Sequence, residues 1–253
     1  MVPFRGSRCG GRVSAALSVR HIPEEPLPND WLERGLGRLG RHVEHDEQSK
    51  SFRVARHVTA LHTVLWKRRS PILNQLEIGR CTGNALAGVL GTEPFYRPSL
   101  LVDEALADKL YRLATRLDNI PGIYPPDDTG SSGLAVCKAG KKLGLIAGYA
   151  HAFSIEDTIA ALQRGPVIGG FNWYAGFDKP DANALISIAG AIRGGHEWEI
   201  NGYDVDTKLF SCLQSWGLRF GHRGVFRMHA TTLQQLLREE GDVTVPLPLA
   251  AAA

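Results

Sequence analysis

The sequence predicts an α+β fold, helical in its first half and stranded in its second. Three observations carry this reading. Residues 100–117, "LLVDEALADKLYRLATRL", place Leu101, Ala105, Leu106, Leu110, Leu113 and Leu117 on one stripe, the spacing of an amphipathic helix. Gly165-Pro166 then breaks a helical pattern, and "VIGGF" follows as a strand. Runs at 196–203, 208–214 and 224–228 alternate apolar with polar residues, as antiparallel strands do. The chain has 253 residues, 43% of them hydrophobic, enough to bury the core of one large domain or of two lobes sharing a cleft.

Each element has a local reason. Residues 1–50 read as an N-terminal arm, partly flexible, ahead of a body spanning 51–245. Arg5, Arg8, Arg12 and Arg20 lie in the first 20 residues without an acid, and the only apolar stretch there, "AALSV", is too short for a cleavable signal peptide; a transit segment is the weaker alternative. Residues 22–50 are polar, with a short helical patch around Trp31 to Leu39, and the apolar spacing from Phe52 to Trp66 is mixed. Small and apolar residues run from Cys81 to Leu90 without proline, which predicts a buried helix. Asn119, Pro121 and Gly122 stop the amphipathic helix, "YPPDDTGSSG" is a loop, and a helix follows from about Gly133 to Leu143. Ser154 with Asp157 three residues on resembles a capping box for a helix reaching Gln163. "TTLQQLLREE" is a late helix, and "PLPLAAAA", 246–253, reads as a disordered tail.

Charge and cysteine usage exclude several function classes. The net charge of +3, from 29 basic and 26 acidic residues, is too mild for nucleic-acid binding. Lys67-Arg68-Arg69 and the lysines at 138–142 read as solvated faces. Cys9, Cys81, Cys137 and Cys212 are widely spaced with no Cys-x-x-Cys pair, so neither a disulfide framework nor a local zinc site is expected, and the folding compartment reads as reduced and cytoplasmic. No apolar run approaches the roughly 18–20 residues of a membrane span. "GLAVCKAGKKLG" fails the spacing of a phosphate loop. No metal or other cofactor is expected.

One stretch does not fit a merely structural reading. In "LNQLEIGRCTGNALAG", 73–88, Gln75 precedes Cys81 by six residues, and Cys81 has Gly79, Arg80, Thr82, Gly83 and Asn84 around it instead of apolar neighbours. Downstream, "GGHEWEINGYD" sets His196 directly after Gly194-Gly195, and "QSWGLRFGHRGVFRM" begins at Gln214. With "NQLEIGRC", these blocks resemble those of the papain-like cysteine peptidases, in the family's order, and the similarity covers roughly residues 52–240.

The resemblance implies a two-lobed fold. A helical lobe of about 70–150 and an antiparallel β-sheet or barrel lobe of about 151–240 would flank the active-site cleft. It implies a peptide or protein substrate, with Cys81 as nucleophile, His196 as general base and acid, Gln214 orienting His196, and Gln75 with the Cys81 backbone N–H as oxyanion donors. The chemistry requires these types. A free thiol titrates near 8.5 and only the thiolate attacks well, so a helix N-terminus and an imidazolium must favour it. A protonated imidazole then supplies the leaving amine, and amide donors hold the tetrahedral oxyanion. Gly130, Ser131, Ser132, Gly195 and Trp216 are the implied substrate contacts, Trp216 alternatively shielding the His–amide bond. Asp127 and Asp128 read as cleft lining or as an exposed turn.

The chain also departs from the family. Gln214 stands where an Asn is usual, Thr82 and Phe220 where Trp is usual, and Ile78 where a disulfide cysteine is usual. Glu197 replaces a small residue and is expected to raise the pKa of His196. Residues 1–50 show no propeptide of the familiar helical kind, although autoinhibition by this arm is among the expectations. Together these point to a divergent bacterial or phage-like branch. Two alternatives stay open at this level: a peptidoglycan-cleaving cysteine endopeptidase, and a catalytically weak domain used as a structural or binding component.

Overall fold

Residues Cys81–Leu90 form a helix, α1, in which every residue is buried. A helix can be enclosed on all sides only where its side chains let neighbours close in, and Gly83, Ala85, Ala87 and Gly88 do so. The second helix, α2 (Glu104–Ala114), comes so near that a Cβ on Gly83 would lie 2.3 Å from the Ala107 carbonyl oxygen. The predicted stripe supplies this face through Leu110, with Leu106, Leu113 and Leu117 partly buried against the same core, but Leu101 is not part of it. The Asp103 side chain accepts from the Leu106 N–H and starts the helix there, leaving Leu101 ahead of it and 76% exposed. A third helix, α3 (Gly133–Lys142), is capped by Ser132 and completes a core that includes Leu86, Leu90, Leu110, Val136 and Ile146.

The second core belongs to a seven-stranded sheet whose strands all pair antiparallel. Its strands are β1 (Val64–Leu65), β2 (Gly148–Ala152), β3 (Val167–Tyr174), β4 (Ile192–Asp204), β5 (Leu209–Leu213), β6 (Val225–His229) and β7 (Asp242–Leu247). They run in the order β2-β7-β3-β4-β5-β6, with β1 on β4. Helix α4 (Ile155–Leu162) starts where the Ser154 side chain accepts from the Asp157 N–H, and α5 (Ala230–Arg238) is the late helix. Phe171, Trp173, Trp198, Phe210 and Phe226 fill this core. The two cores make the two expected lobes.

Strand β4 lies between them, and its alternation decides what each lobe receives. Trp198 and Ile200 point into the sheet-lobe core. The carboxylates of Glu197 and Glu199 point the other way, towards Gly133 of α3 and Gly88 of α1 respectively.

The structure, a computed structural model, describes residues 37–44 and 61–250. The basic segment 1–20, the helical patch up to residue 36, the stretch 52–60 and the last three alanines lie outside these residues. The expected tail begins within β7, since Pro246 and Leu247 pair with Tyr149 and Gly148. Among the described residues, no helix is long and apolar enough to cross a membrane.

The close approach of α1 and α2 gives a stability test. Gly83→Val forces two backbones apart and should cost at least about 1–3 kcal/mol. Thermal unfolding should show a Tm several degrees lower. Gly148→Ala should leave Tm nearly unchanged, because its Cβ would meet nothing nearer than 3.6 Å.

Candidate active site

Cys81 is the first residue of α1, and the preceding Arg80 offers no side-chain cap. First-turn N–H groups of a helix have no intrahelical acceptor, that of Cys81 included. The thiol is buried, and the backbone N–H groups of Glu197, Gly40 and Thr82 approach its sulfur. Since Glu197 adjoins His196, Cys81 meets β4 where the imidazole is carried. His196 Nε2 lies 2.7 Å from Gln214 Oε1, and its Nδ1 has no hydrogen-bond partner among the described residues. The longer Gln stem therefore reaches the ring, and the same oxygen accepts from the Ser215 N–H at 2.8 Å.

Aromatic rings enclose the imidazole on its far side. Trp216 lies over it at a centroid distance of 4.9 Å, and Trp173 meets it edge-on at 5.2 Å. Trp216 is only 3% exposed and packs further on Trp173 and Phe220. It covers the His196–Gln214 pair, and its surface is spent on the aromatic core.

Gln75 is tied to the strand side by Ser215. Its N–H donates to the Ser215 carbonyl at 2.8 Å, and the Ser215 hydroxyl donates to Gln75 Oε1 at 2.6 Å. With the oxygen engaged, the amide can offer only Nε2 elsewhere. That nitrogen donates to the carbonyls of Ile78 at 2.9 Å and Arg38 at 2.8 Å. Ser215 escaped the sequence reading as a positioning residue, and its only signal was its place beside Gln214 in the third block.

The Arg38 contact shows what fills the cleft. Residues 37–44 thread it. The N–H groups of Gly40 and Arg41 donate to the Gly195 carbonyl at 3.2 and 3.0 Å, and Ser131 exchanges hydrogen bonds with the Gly40 carbonyl and the His42 N–H at 2.8 Å each. Arg41 thus pairs with Ser131 in parallel. A Cβ on Gly130 would lie 2.2 Å from the Gly40 carbonyl oxygen, and one on Gly40 would lie 2.0 Å from that of Gly79. Ser132 caps α3 and its hydroxyl donates to Glu44. Gly130, Ser131, Ser132 and Gly195 are therefore brought together along one bound peptide segment. Asp128 joins them, accepting from the Gly79 N–H and pairing with Arg38 at 2.9 Å, whereas Asp127 lies in an exposed turn.

The fold has counterparts among solved structures. Xylellain, a cysteine protease from Xylella fastidiosa, superposes with a TM-score of 0.66 at 19% identity, over 83% of this chain and 96% of that one. Procathepsin B S9 from Trypanosoma congolense gives 0.60 at 10% identity, over 86% and 88%. Digestive procathepsin L 3 of Tenebrio molitor larval midgut gives 0.57 at 12%, over 86% and 78%. The fold is papain-like. No protein-family model matches the sequence, and a search of curated proteins gives no match.

In this papain-like setting the electrostatics are those of a masked site. Burial pushes the Cys81 thiol up to about 12, with the Glu197 carboxyl adding to the rise and the three N–H groups opposing it. Burial lowers His196 to about 4, against the upward pull of Gln214 and with a smaller downward one from Arg193. Both groups are neutral over a wide range. The expectation that Glu197 raises the His196 pKa is wrong for a geometric reason. Neighbours on a strand face opposite ways, so the Glu197 carboxyl lies on the α3 side of β4 and acts on the thiol instead.

A pH series follows from these directions. Below about 12 the buried thiol of the intact chain is protonated, so iodoacetamide should alkylate Cys81 slowly throughout pH 5–9. Gly40→Leu, which cannot sit against the Gly79 carbonyl, displaces the arm and should speed alkylation at pH 7 by about tenfold or more. Mass spectrometry of the Cys81 peptide measures both rates, and equal rates would contradict the masking.

Proposed function

We propose that the protein is a cysteine-type peptidase held inhibited by its own residues 37–44. The Cys81 sulfur attacks the substrate carbonyl carbon after passing its proton to His196. The Gln75 Nε2 and the Cys81 N–H take the oxyanion. His196 returns the proton to the leaving amine, and water then releases the acyl group from sulfur with His196 as base. Gln214 holds the ring so that Nδ1 stays available for this traffic, and Trp216 keeps water from the supporting hydrogen bond.

One observation carries the reading. A main-chain carbonyl, that of Arg38, already accepts a hydrogen bond from Gln75 Nε2 in the cleft of Cys81. This supports reading Gln75 as a donor to a peptide carbonyl oxygen. The Gly40 N–H of the arm also approaches the Cys81 sulfur. That two of the similar structures are procathepsins supports an inhibitory role for the segment. The reduced, cytoplasmic setting remains part of the proposal, and the described cysteines, Cys81, Cys137 and Cys212, are free.

The test is peptide hydrolysis in the full-length Gly40→Leu chain. It should exceed that of the parent, and adding Cys81→Ala should abolish it. Gln75→Ala should lower the rate about a hundredfold or more. Gln214→Ala should cost about one to two powers of ten, or about 1.4–2.8 kcal/mol in barrier. Hydrolysis of muropeptides alone would favour the peptidoglycan reading, and no hydrolysis of either would leave a structural component.

A further inference from the structure

The arm places one charged side chain where the cleft is otherwise acidic. Arg41 is buried, and its Nη2 donates to Asp242 Oδ1 at 2.5 Å and to the Glu240 carbonyl at 2.7 Å. Glu197 is wholly buried beside it, with no side chain among the described residues hydrogen-bonded to its carboxyl oxygens and only the Gly133 N–H nearby to favour its charge. The three groups converge on Gly170. A Cβ there would lie 2.9 Å from Asp242 Oδ1, 3.0 Å from Arg41 Nε and 3.1 Å from Glu197 Oε1. Glycines also leave the room on the remaining sides. A Cβ on Gly133 would meet both Glu197 oxygens at 3.2 and 3.3 Å, and one on Gly195 would meet Arg41 Cδ at 3.1 Å.

Two carboxyl groups enclosed together are costly unless a cation joins them. Accordingly burial, and then Asp242, push Glu197 up, while Arg41 and the Gly133 N–H pull it down. An arm that needed only an anchor would be served by surface pairs such as Arg38–Asp128. A walled acidic pocket with glycine on three sides is shaped for a long side chain entering from the cleft. It lies beside Ser131, whose backbone pairs with Arg41, one residue on from the Gly40 that covers Cys81.

We infer that Glu197 and Asp242 form a specificity pocket for a basic substrate side chain, one residue removed from the residue lying on Cys81. Arg41 of the arm occupies the pocket in the substrate's place. The inference rests on the reading of the cleft as a peptide-binding groove. Arg41 Nη2 alone reaches both Asp242 and the Glu240 carbonyl, so the pocket suits a long basic side chain that brings one charged nitrogen to this point, with the Glu197 carboxyl close by.

The experiment measures binding, so that it does not depend on turnover. The full-length chain carrying Gly40→Leu, Arg41→Ala and Cys81→Ala is titrated calorimetrically with acetyl-Ala-Arg-Gly-Ala-amide and with its norleucine analogue. The arginine peptide should bind at least tenfold more tightly, and adding Asp242→Asn or Glu197→Gln should shrink the preference. Equal binding of the arginine and norleucine peptides, or a preference untouched by both substitutions, overturns the inference. A clear arginine preference without any hydrolysis once Cys81 is restored keeps the pocket and removes the peptidase reading. Should the triple variant fail to fold, Arg41→Ala alone is heated with n-propylguanidinium or 1-butanol. A rise in Tm with the guanidinium that is absent with the alcohol supports the pocket, and no difference between them overturns it.

Discussion

The meeting of the α1 N-terminus with β4 is the constraint on which the rest depends. Cys81 comes first in a helix enclosed on all sides, so it cannot shift without disturbing the packing of Gly83 on α2. The strand it meets is equally fixed, paired on both sides by β3 and β5. A thiol and an imidazole carried on separate lobes are thus brought together by two rigid elements, and the loops between them need hold only the supporting amides. Ser215 does this on both counts, donating its N–H to Gln214 and its hydroxyl to Gln75.

Burial explains why such a pair can be present and silent. A thiol and an imidazole form an ion pair when the cleft is solvated and substrate-ready. Under the arm, burial raises one and lowers the other, so proton transfer between them is uphill. The arm engages the Gln75 amide, the Gly195 carbonyl, the Ser131 backbone and the Asp242 carboxylate. On the proposed reading, inhibition and recognition draw on the same contacts, which is why displacing the arm at Gly40 alone should uncover all of them.

Much of the site was legible because the chemistry limits the choice of residues. An amide six residues before a helix-mouth cysteine, a histidine after two glycines, and an amide before Ser-Trp-Gly have few structural excuses together. The helices with strong patterns were legible for similar local reasons, as at Ser154. What escaped was set at long range. β2, "GYAHA", lacks a clear alternation, and β7 contains Pro246; both exist as strands because they pair with each other. Leu101 fits the helical spacing but precedes the Asp103 cap. The orientation of Glu197 was recoverable from strand alternation alone, had His196 been taken as facing the other lobe. Arg41 was not recoverable, since its partner Asp242 is 201 residues away in the chain.

The most direct measurement is labelling by a peptidyl epoxide, followed by mapping of the modified residue. Ring opening needs both a thiolate and a proton donor, so it reports Cys81 and His196 acting together. The account predicts one label, on Cys81, formed quickly in the Gly40→Leu chain, slowly in the intact chain, and slowly again when His196→Ala is added. A label on Cys137 or Cys212, or a Cys81 rate in the Gly40→Leu chain no faster than that of a free thiol such as glutathione, would contradict it.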